Sequence, residues 1–140
     1  MPADPFIDSN VLIYLLSADT DKAGRAEAIL RRGAVINVQV LNEITNVMRR
    51  KLAMPWPEVN EFVALIRSLC PTKSLTPEVH DRGRSIAERY NLSVYDAMIV
   101  SAALAAGCDT LYSEDMHHSL LVEKQLRVRN PFSPGQMSER

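Results

Sequence analysis

Long apolar runs are missing from this chain. None approaches the ~18 residues that a membrane-spanning helix requires, so no span is expected. The N-terminal MPADPFIDSN has neither a basic flank nor a cleavable apolar stretch, and no signal peptide is expected there. Cysteine is scarce: Cys70 and Cys108 stand in unrelated segments without metal-motif spacing, which reads as two buried, reduced thiols in a cytoplasmic protein. An excess of one charge is missing too. The net charge of -1 argues at first against a nucleic-acid partner, but the sum conceals the distribution. If several acids are committed to a metal, the remaining surface is mildly basic, with Arg25, Arg31, Arg32, Arg49, Arg50 and Lys51 as candidates for phosphate contact. Internal repeats and low-complexity stretches are absent as well.

What remains is a chain of 140 residues, 46% apolar and 24% charged, enough to bury one continuous core. Pro5-Phe6-Ile7 is a very short strand ending at Asp8, followed by a short helix over Val11 to Leu16 capped by Asp8, Ser9 or Asn10. Lys22 to Arg32 forms a second helix, stopped by Gly33. Ala34 to Val38 is a second strand. The helix from about Val40 to Leu52 then places Val40, Leu41, Ile44, Val47 and Met48 on one arc. Pro57 opens the next helix as its first residue, and Val59, Phe62, Val63, Ile66 and Leu69 keep its 3.6-residue period. Thr72 to Leu75 is a third strand and Thr76-Pro77 starts another helix. Ser93 to Ala106 is an alanine-rich, central helix ended by Gly107. Thr110 to Tyr112 is a fourth strand and Leu126 to Arg129 a weak fifth. From Pro131 onward the chain turns polar, and the tail over 133–140 is expected to be mobile. Short strands alternating with helices imply right-handed crossovers and a parallel sheet, whose ligands bind beyond the carboxyl ends of the strands.

Four carboxylates occupy the places that such a rim would gather: Asp8 and Asp115 directly after strands, Glu43 near the start of a helix, Asp96 in the first turn of another. Each has an ordinary reading. Asp8 can cap the following helix, Asp96 can close a capping box with Ser93, Glu43 can be a solvated residue beside the apolar arc, and Asp115 can belong to a turn. As a set they are harder to explain as independent caps. Two like charges ~4 Å apart repel by about 4 kcal/mol at an effective dielectric near 20, whereas a cap offsets only ~1 kcal/mol. A cation or protonation must relieve such a cluster, and an all-oxygen donor set suits a hard ion such as Mg²⁺.

The strings PFIDSNVLIYLL, VQVLNEITNVMRRK, LSVYDAMIVSAALAAGCDTLYSEDMHH and LRVRNPF resemble, in order, the PIN-domain ribonucleases, closely those of the VapC toxin type. The likeness runs from about Phe6 to Phe132. It implies a PIN domain over 1–132 and a three-layer α/β fold. A five-stranded parallel sheet of order 3-2-1-4-5 would be flanked by helices. It also implies Asp8, Asp96 and Asp115 as metal ligands, Glu43 as a further acid of the site, and Asn10 and Ser113 as polar residues orienting them. The expected activity is Mg²⁺- or Mn²⁺-dependent hydrolysis of RNA by the toxin of a toxin–antitoxin pair, with a cognate antitoxin as partner and a homodimer as the usual assembly.

Alternatives stand beside that reading. A phospho-acceptor receiver domain would need paired acids after the first strand and a late lysine, which are not placed here. A catalytically weak PIN scaffold, or an RNA-processing nuclease outside any toxin–antitoxin pair, shares the motifs. His117 and His118 invite a metal reading, yet Mg²⁺ prefers oxygen and neighbouring helical side chains diverge, so RNA contact or plain exposure is the better expectation. Arg49-Arg50-Lys51 reads as a solvated helix end or an RNA contact, and Trp56 as a packing or capping residue or a base-stacking surface.

Overall fold

A computed structural model describes residues 3–133, so the tail expected over 133–140 falls almost wholly outside the described residues. The first strand, β1 (Phe6–Ile7), is fully buried and leads straight into α1 (Ser9–Leu12), which tightens into a 3₁₀ turn over Ile13–Leu16. Asp8 is the N-cap; the helix therefore begins two residues earlier than the apolar pattern suggests. Helix α2 (Thr20–Arg32) starts with Asp19 accepting from the Lys22 amide and stops at Gly33, whose φ of 108° favours glycine. Strand β2 (Ile36–Asn37) is cut to two residues because Asn37 turns at once into the N-cap of α3 (Val38–Arg50), its Oδ1 accepting from the Val40 amide at 3.2 Å.

Helix α4 (Trp56–Leu69) is capped by Pro55, which places Trp56 rather than Pro57 at its first position. Strand β3 (Thr72–Lys73), α5 (Pro77–Tyr90) and α6 (Val94–Ala105) follow, with Thr76 and Ser93 as caps. Helix α6 is buried almost all round, as its alanine content predicts. Helix α5 comes very close to it at Gly83, where an added Cβ would stand 2.5 Å from Met98 Sδ. The chain ends in β4 (Thr110–Tyr112), β5 (Leu121–Val122) and β6 (Leu126–Arg129).

The strands form an α/β arrangement in which β1, β4 and β6 run parallel, in the order β1-β4-β6-β5, while β2 and β3 make a separate parallel pair. This differs from the continuous five-stranded parallel sheet expected. The sheet is mixed, because β5 pairs antiparallel with β6. It is also interrupted, because between β1 and β2 only an isolated Phe6–Val35 bridge survives, carried by Ile7 N to Val35 O (3.1 Å) and Val35 N to Pro5 O (2.8 Å). Two-residue strands leave too little ladder for more. Among the described residues, no helix is long and apolar enough to cross a membrane.

The register has one consequence for function. Ile7 pairs with Tyr112, the Asp8 amide donates to Tyr112 O at 3.0 Å, and the Ser113 amide donates to Arg129 O at 3.0 Å. The next residues on the two central strands, Asp8 and Ser113, thus leave the sheet side by side at its carboxyl edge.

Candidate active site

Asp8 is 4% exposed, and each of its oxygens has partners. Oδ1 accepts from the Ser9 amide at 2.7 Å, the helix-capping role. Oδ2 accepts from Ser113 Oγ at 2.9 Å and, at a weaker 3.5 Å, from Asn10 Nδ2. Capping and site membership are therefore two ends of one carboxylate. Asn10 also donates to Ser113 Oγ at 3.3 Å, and its Oδ1 accepts from the Glu114 amide at 3.1 Å. Asn10 and Ser113 thereby lock the turn after β4 onto the start of α1.

Glu43 comes in from α3. Its Oε1 accepts from Ser9 Oγ at 2.8 Å and its Oε2 from Gln39 Nε2 at 3.2 Å. Asp96 stands in the first turn of α6, its amide donating to Ser93 Oγ at 3.2 Å. Among the described residues no bond returns from the Ser93 amide to the Asp96 carboxylate, so the reciprocal capping box is half-formed and the carboxylate faces the cavity. Asp115 lies on the exposed rim. All four acids, with Ser9, Asn10, Asn46, Val47 and Ile99, line one cavity of about 230 Å³, and among the described residues no Lys or Arg lines it.

The electrostatics follow from that depth. Burial, then the nearby Glu43 carboxylate, pushes Asp8 up to about 7, against the easing effect of the Ser113 and Ser9 hydrogen bonds; Asp96 adds to the rise. Burial also raises Asp96, with Asp115 pushing the same way and Ser93 easing it. Glu43 and Asp96 thus act on Asp8, and Asp115 acts on Asp96.

A divalent cation fits this donor set in chemistry: among the described residues that line the cavity, the carboxylates of Asp8, Glu43, Asp96 and Asp115 offer the oxygen donors a hard ion prefers. Yet among the described residues no three His, Cys, Asp or Glu side chains stand ready as a complete metal cage. Mg²⁺ does not need one, since it keeps several waters and takes only one or two carboxylates directly. The histidines are elsewhere engaged or outside the cavity: His118 Nδ1 accepts from the Asn130 amide at 3.0 Å, and neither His117 nor His118 lines the site. Of the candidate phosphate contacts, Arg25 pairs with Asp21 and donates to Pro131 O, and Arg31 pairs with Glu27.

The sequence reading missed three contributors. From its position Ser9 reads only as a cap, yet its hydroxyl ties Glu43 to the Asp8 turn. Asn46 lines the cavity one turn after Glu43, a spacing visible in the chain. Glu114 is the third: Tyr14 Oη donates to its Oε1 at 2.7 Å, Lys22 Nζ to its Oε2 at 3.2 Å, and Tyr14 packs edge-on against Phe132 at 4.7 Å. The Glu114 hydrogen bond keeps the Tyr14 phenol protonated, raising it above its ordinary value. This clamp holds the turn that carries Asp115. Tyr14→Phe keeps the ring packing and removes the hydroxyl, so it is expected to lower stability by about 1 kcal/mol and to weaken turnover several-fold without changing the fold. Denaturant titration beside an initial-rate assay measures both; an unchanged rate would show that the clamp has no bearing on Asp115.

The family model for the PIN domain matches residues 6–121. Among curated proteins, none matches by sequence. Among solved structures, the chain is similar to a toxin–antitoxin complex from Klebsiella pneumoniae, with a TM-score of 0.69, 16% identity, and 91% of this chain and 98% of that one covered. It is similar to VapC20 of Mycobacterium tuberculosis, a sarcin–ricin-loop-cleaving toxin, with a TM-score of 0.64 and 18% identity over 79% of this chain and 88% of that one. It is also similar to VapBC2 of Rickettsia felis bound to a promoter DNA fragment, with a TM-score of 0.63 and 13% identity over 89% and 96%. At these identities the likeness speaks for the fold alone.

Proposed function

The chain belongs to the PIN-domain family, and from that premise we propose that it is a Mg²⁺- or Mn²⁺-dependent ribonuclease, the toxin of a toxin–antitoxin pair. The observation that carries this reading is the single anionic cavity lined by Asp8, Glu43, Asp96 and Asp115, with Asp8 buried and pushed up to about 7. Mutually repelling carboxylates persist where a function requires them, and shifted titrations cluster at such places.

In this reading Asp8, Asp96 and Asp115 hold the ion directly or through water. When bound, it supplies Lewis-acid polarisation of the phosphodiester and a more acidic water. Glu43, steadied by Ser9 and Gln39, accepts a proton from the attacking water. Ser113 and Asn10 fix the orientation of Asp8. No side-chain nucleophile is invoked. Counting the Phe6–Val35 bridge as a junction, the parallel strands follow one another as β3, β2, β1, β4, β6, which supports the five-stranded arrangement of such nucleases with β5 as an added edge. The buried thiols Cys70 and Cys108, both pushed up to about 11 by burial, suit a reducing, cytoplasmic setting.

The antitoxin reading is supported by the toxin–antitoxin neighbours and by a second cavity of about 740 Å³. It is an apolar groove between α2 and α4, lined by Leu15, Leu16, Leu30, Phe62, Leu65 and Leu69, suited to an amphipathic antitoxin helix. A homodimer completes the proposed assembly.

The rival reading is a PIN scaffold without catalysis, and it draws on the lack of a ready-made metal cage among the described residues. Cleavage of labelled RNA with Mg²⁺, with excess EDTA, and after Mg²⁺ is restored is expected to read on, off and on. Calorimetry is expected to register Mg²⁺ binding that Asp96→Asn removes. Cleavage that persists in EDTA sinks the metal mechanism, and no heat of binding with no cleavage leaves the scaffold.

A further inference from the structure

The acid cavity does not end at the acids. A second depression of about 390 Å³ is lined by Gln39, Asn42, Glu43, Asn46 and Tyr95, and a third of about 310 Å³ by Asn42, Thr45, Asn46, Arg49 and Trp56. The first two share Glu43 and Asn46; the second and third share Asn42 and Asn46. They form one continuous track along the outer face of α3, where Gln39, Asn42, Asn46 and Arg49 recur at three- and four-residue intervals. From Gln39 to Arg49 the helix rises about 15 Å, the span of a few nucleotides.

The side chains along it have a common character. Tyr95, next to Asp96, is 68% exposed, and Trp56 at the far end is 52% exposed. The Arg49 guanidinium lies 4.6 Å from the Trp56 ring centroid, and Arg49 is itself anchored by a 2.8 Å bond to Met54 O. Between the two rings, the side-chain amides of Asn42 and Asn46 are exposed and make no hydrogen bond among the described residues. Each therefore offers a donor and an acceptor to an incoming group.

We propose that this track is the substrate-binding groove for a single-stranded segment of RNA. Bases stack on Tyr95 and on the Trp56–Arg49 platform, Asn42 and Asn46 bond to base edges, and the strand enters the acid cavity beside Tyr95. The assignment rests on the nuclease reading and deepens it. Exposed rings separated by unpaired amides and joined to a cation suit splayed bases, because every base has a π-face and an edge of donors and acceptors. A duplex cannot use the rings, since its bases are stacked on one another. A protein partner is less well matched: interface cores are contiguous and apolar, whereas this face alternates rings with amides. Among the described residues that line the track, positive charge lies at the Arg49 end, so the salt dependence of binding is expected to be shallow, with a log–log slope of about -1 to -2.

Trp56 is the only tryptophan in the chain, so its fluorescence reports the far end of the track directly. The full chain in EDTA, which prevents cleavage, is titrated with a labelled single-stranded RNA 10-mer and with the same sequence as a duplex. Quenched Trp56 emission is expected with the single strand. Trp56→Ala and Tyr95→Ala are each expected to weaken single-strand binding about tenfold, Trp56→Phe to stay near wild type, and duplex binding to be unmoved by any of them. The proposal is overturned if the alanine variants bind the single strand as wild type does, whether or not sedimentation shows a dimer lost; a lost dimer would make this face a contact between two copies of the chain. Cleavage with Mg²⁺ in parallel separates the two readings. Wild type that cleaves while the ring variants bind unchanged removes the track and leaves the nuclease. Wild type that binds through the rings but never cleaves keeps the track and removes the catalysis.

Discussion

Asp8→Asn is expected to lower metal-dependent RNA cleavage by about three orders of magnitude while making the metal-free protein more stable at pH 8. The two effects have one origin. Asp8 is buried beside Glu43 and Asp96, and burial and both neighbouring carboxylates disfavour its charge, so its ionised form works against the fold. Its folded titration at about 7 lies roughly three units above the ~3.9 of an unfolded chain, which corresponds to about 4 kcal/mol at most. Asparagine is nearly isosteric. It keeps an oxygen for the Ser9 amide, and Ser113 Oγ can rotate to accept from the new amide where it now donates. A gain of about 2 kcal/mol is therefore reasonable, or roughly 5–10 °C in melting temperature for a chain of this size. Single-turnover cleavage rates and thermal melts of the same preparations check both halves. An Asp8→Asn protein that melts lower at pH 8 yet cleaves RNA normally would make Asp8 a helix cap and nothing more.

The chain alone reveals the acids better than it reveals the sheet. Asp8 and Asp115 are legible because strand ends and helix starts meet on one edge of a parallel sheet, a rule that needs no coordinates. Asp96 is legible only as a member of a set, since its spacing from Ser93 also spells a capping box; the structure forms the half in which the Asp96 amide donates to Ser93 Oγ, and the carboxylate lines the cavity. The β5–β6 hairpin was out of reach. Its turn places Glu123 and Lys124 at φ values of 52° and 58°, positions where asparagine or glycine would normally advertise a turn. Tertiary contacts hold that turn instead: Glu123 pairs with Arg82 at 2.6 Å, and its amide donates to Tyr90 Oη at 2.8 Å. Nothing within the segment Leu121 to Leu126 signals partners some thirty to forty residues upstream. The extended track on α3 was hidden for a different reason. Asn42 and Asn46 look like any solvated helix face until α6 brings Tyr95, and the start of α4 brings Trp56, alongside them.

Added Mg²⁺ is expected to raise the melting temperature strongly at pH 8 and hardly at all at pH 5. A carboxyl raised as Asp8 is stabilises the fold fully below the unfolded value near pH 4, and that contribution is lost as the pH climbs through about 7. Asp96 is raised too and acts in the same direction. The metal-free protein should accordingly lose stability between pH 5 and pH 8, by more than an Asp8→Asn variant does over the same interval. At pH 8 the ionised cluster can bind the cation, and free Mg²⁺ at a hundredfold over its Kd stabilises by about 2.7 kcal/mol. At pH 5 a proton already occupies Asp8, and the ion must displace it. Surface carboxylates titrate in both proteins, so the quantity that decides is the difference between wild type and Asp8→Asn at each pH, with and without the ion. Were that difference flat from pH 5 to pH 8 and indifferent to Mg²⁺, the four acids would not share a charge, and neither the metal nor the chemistry assigned to it could be placed in this cavity.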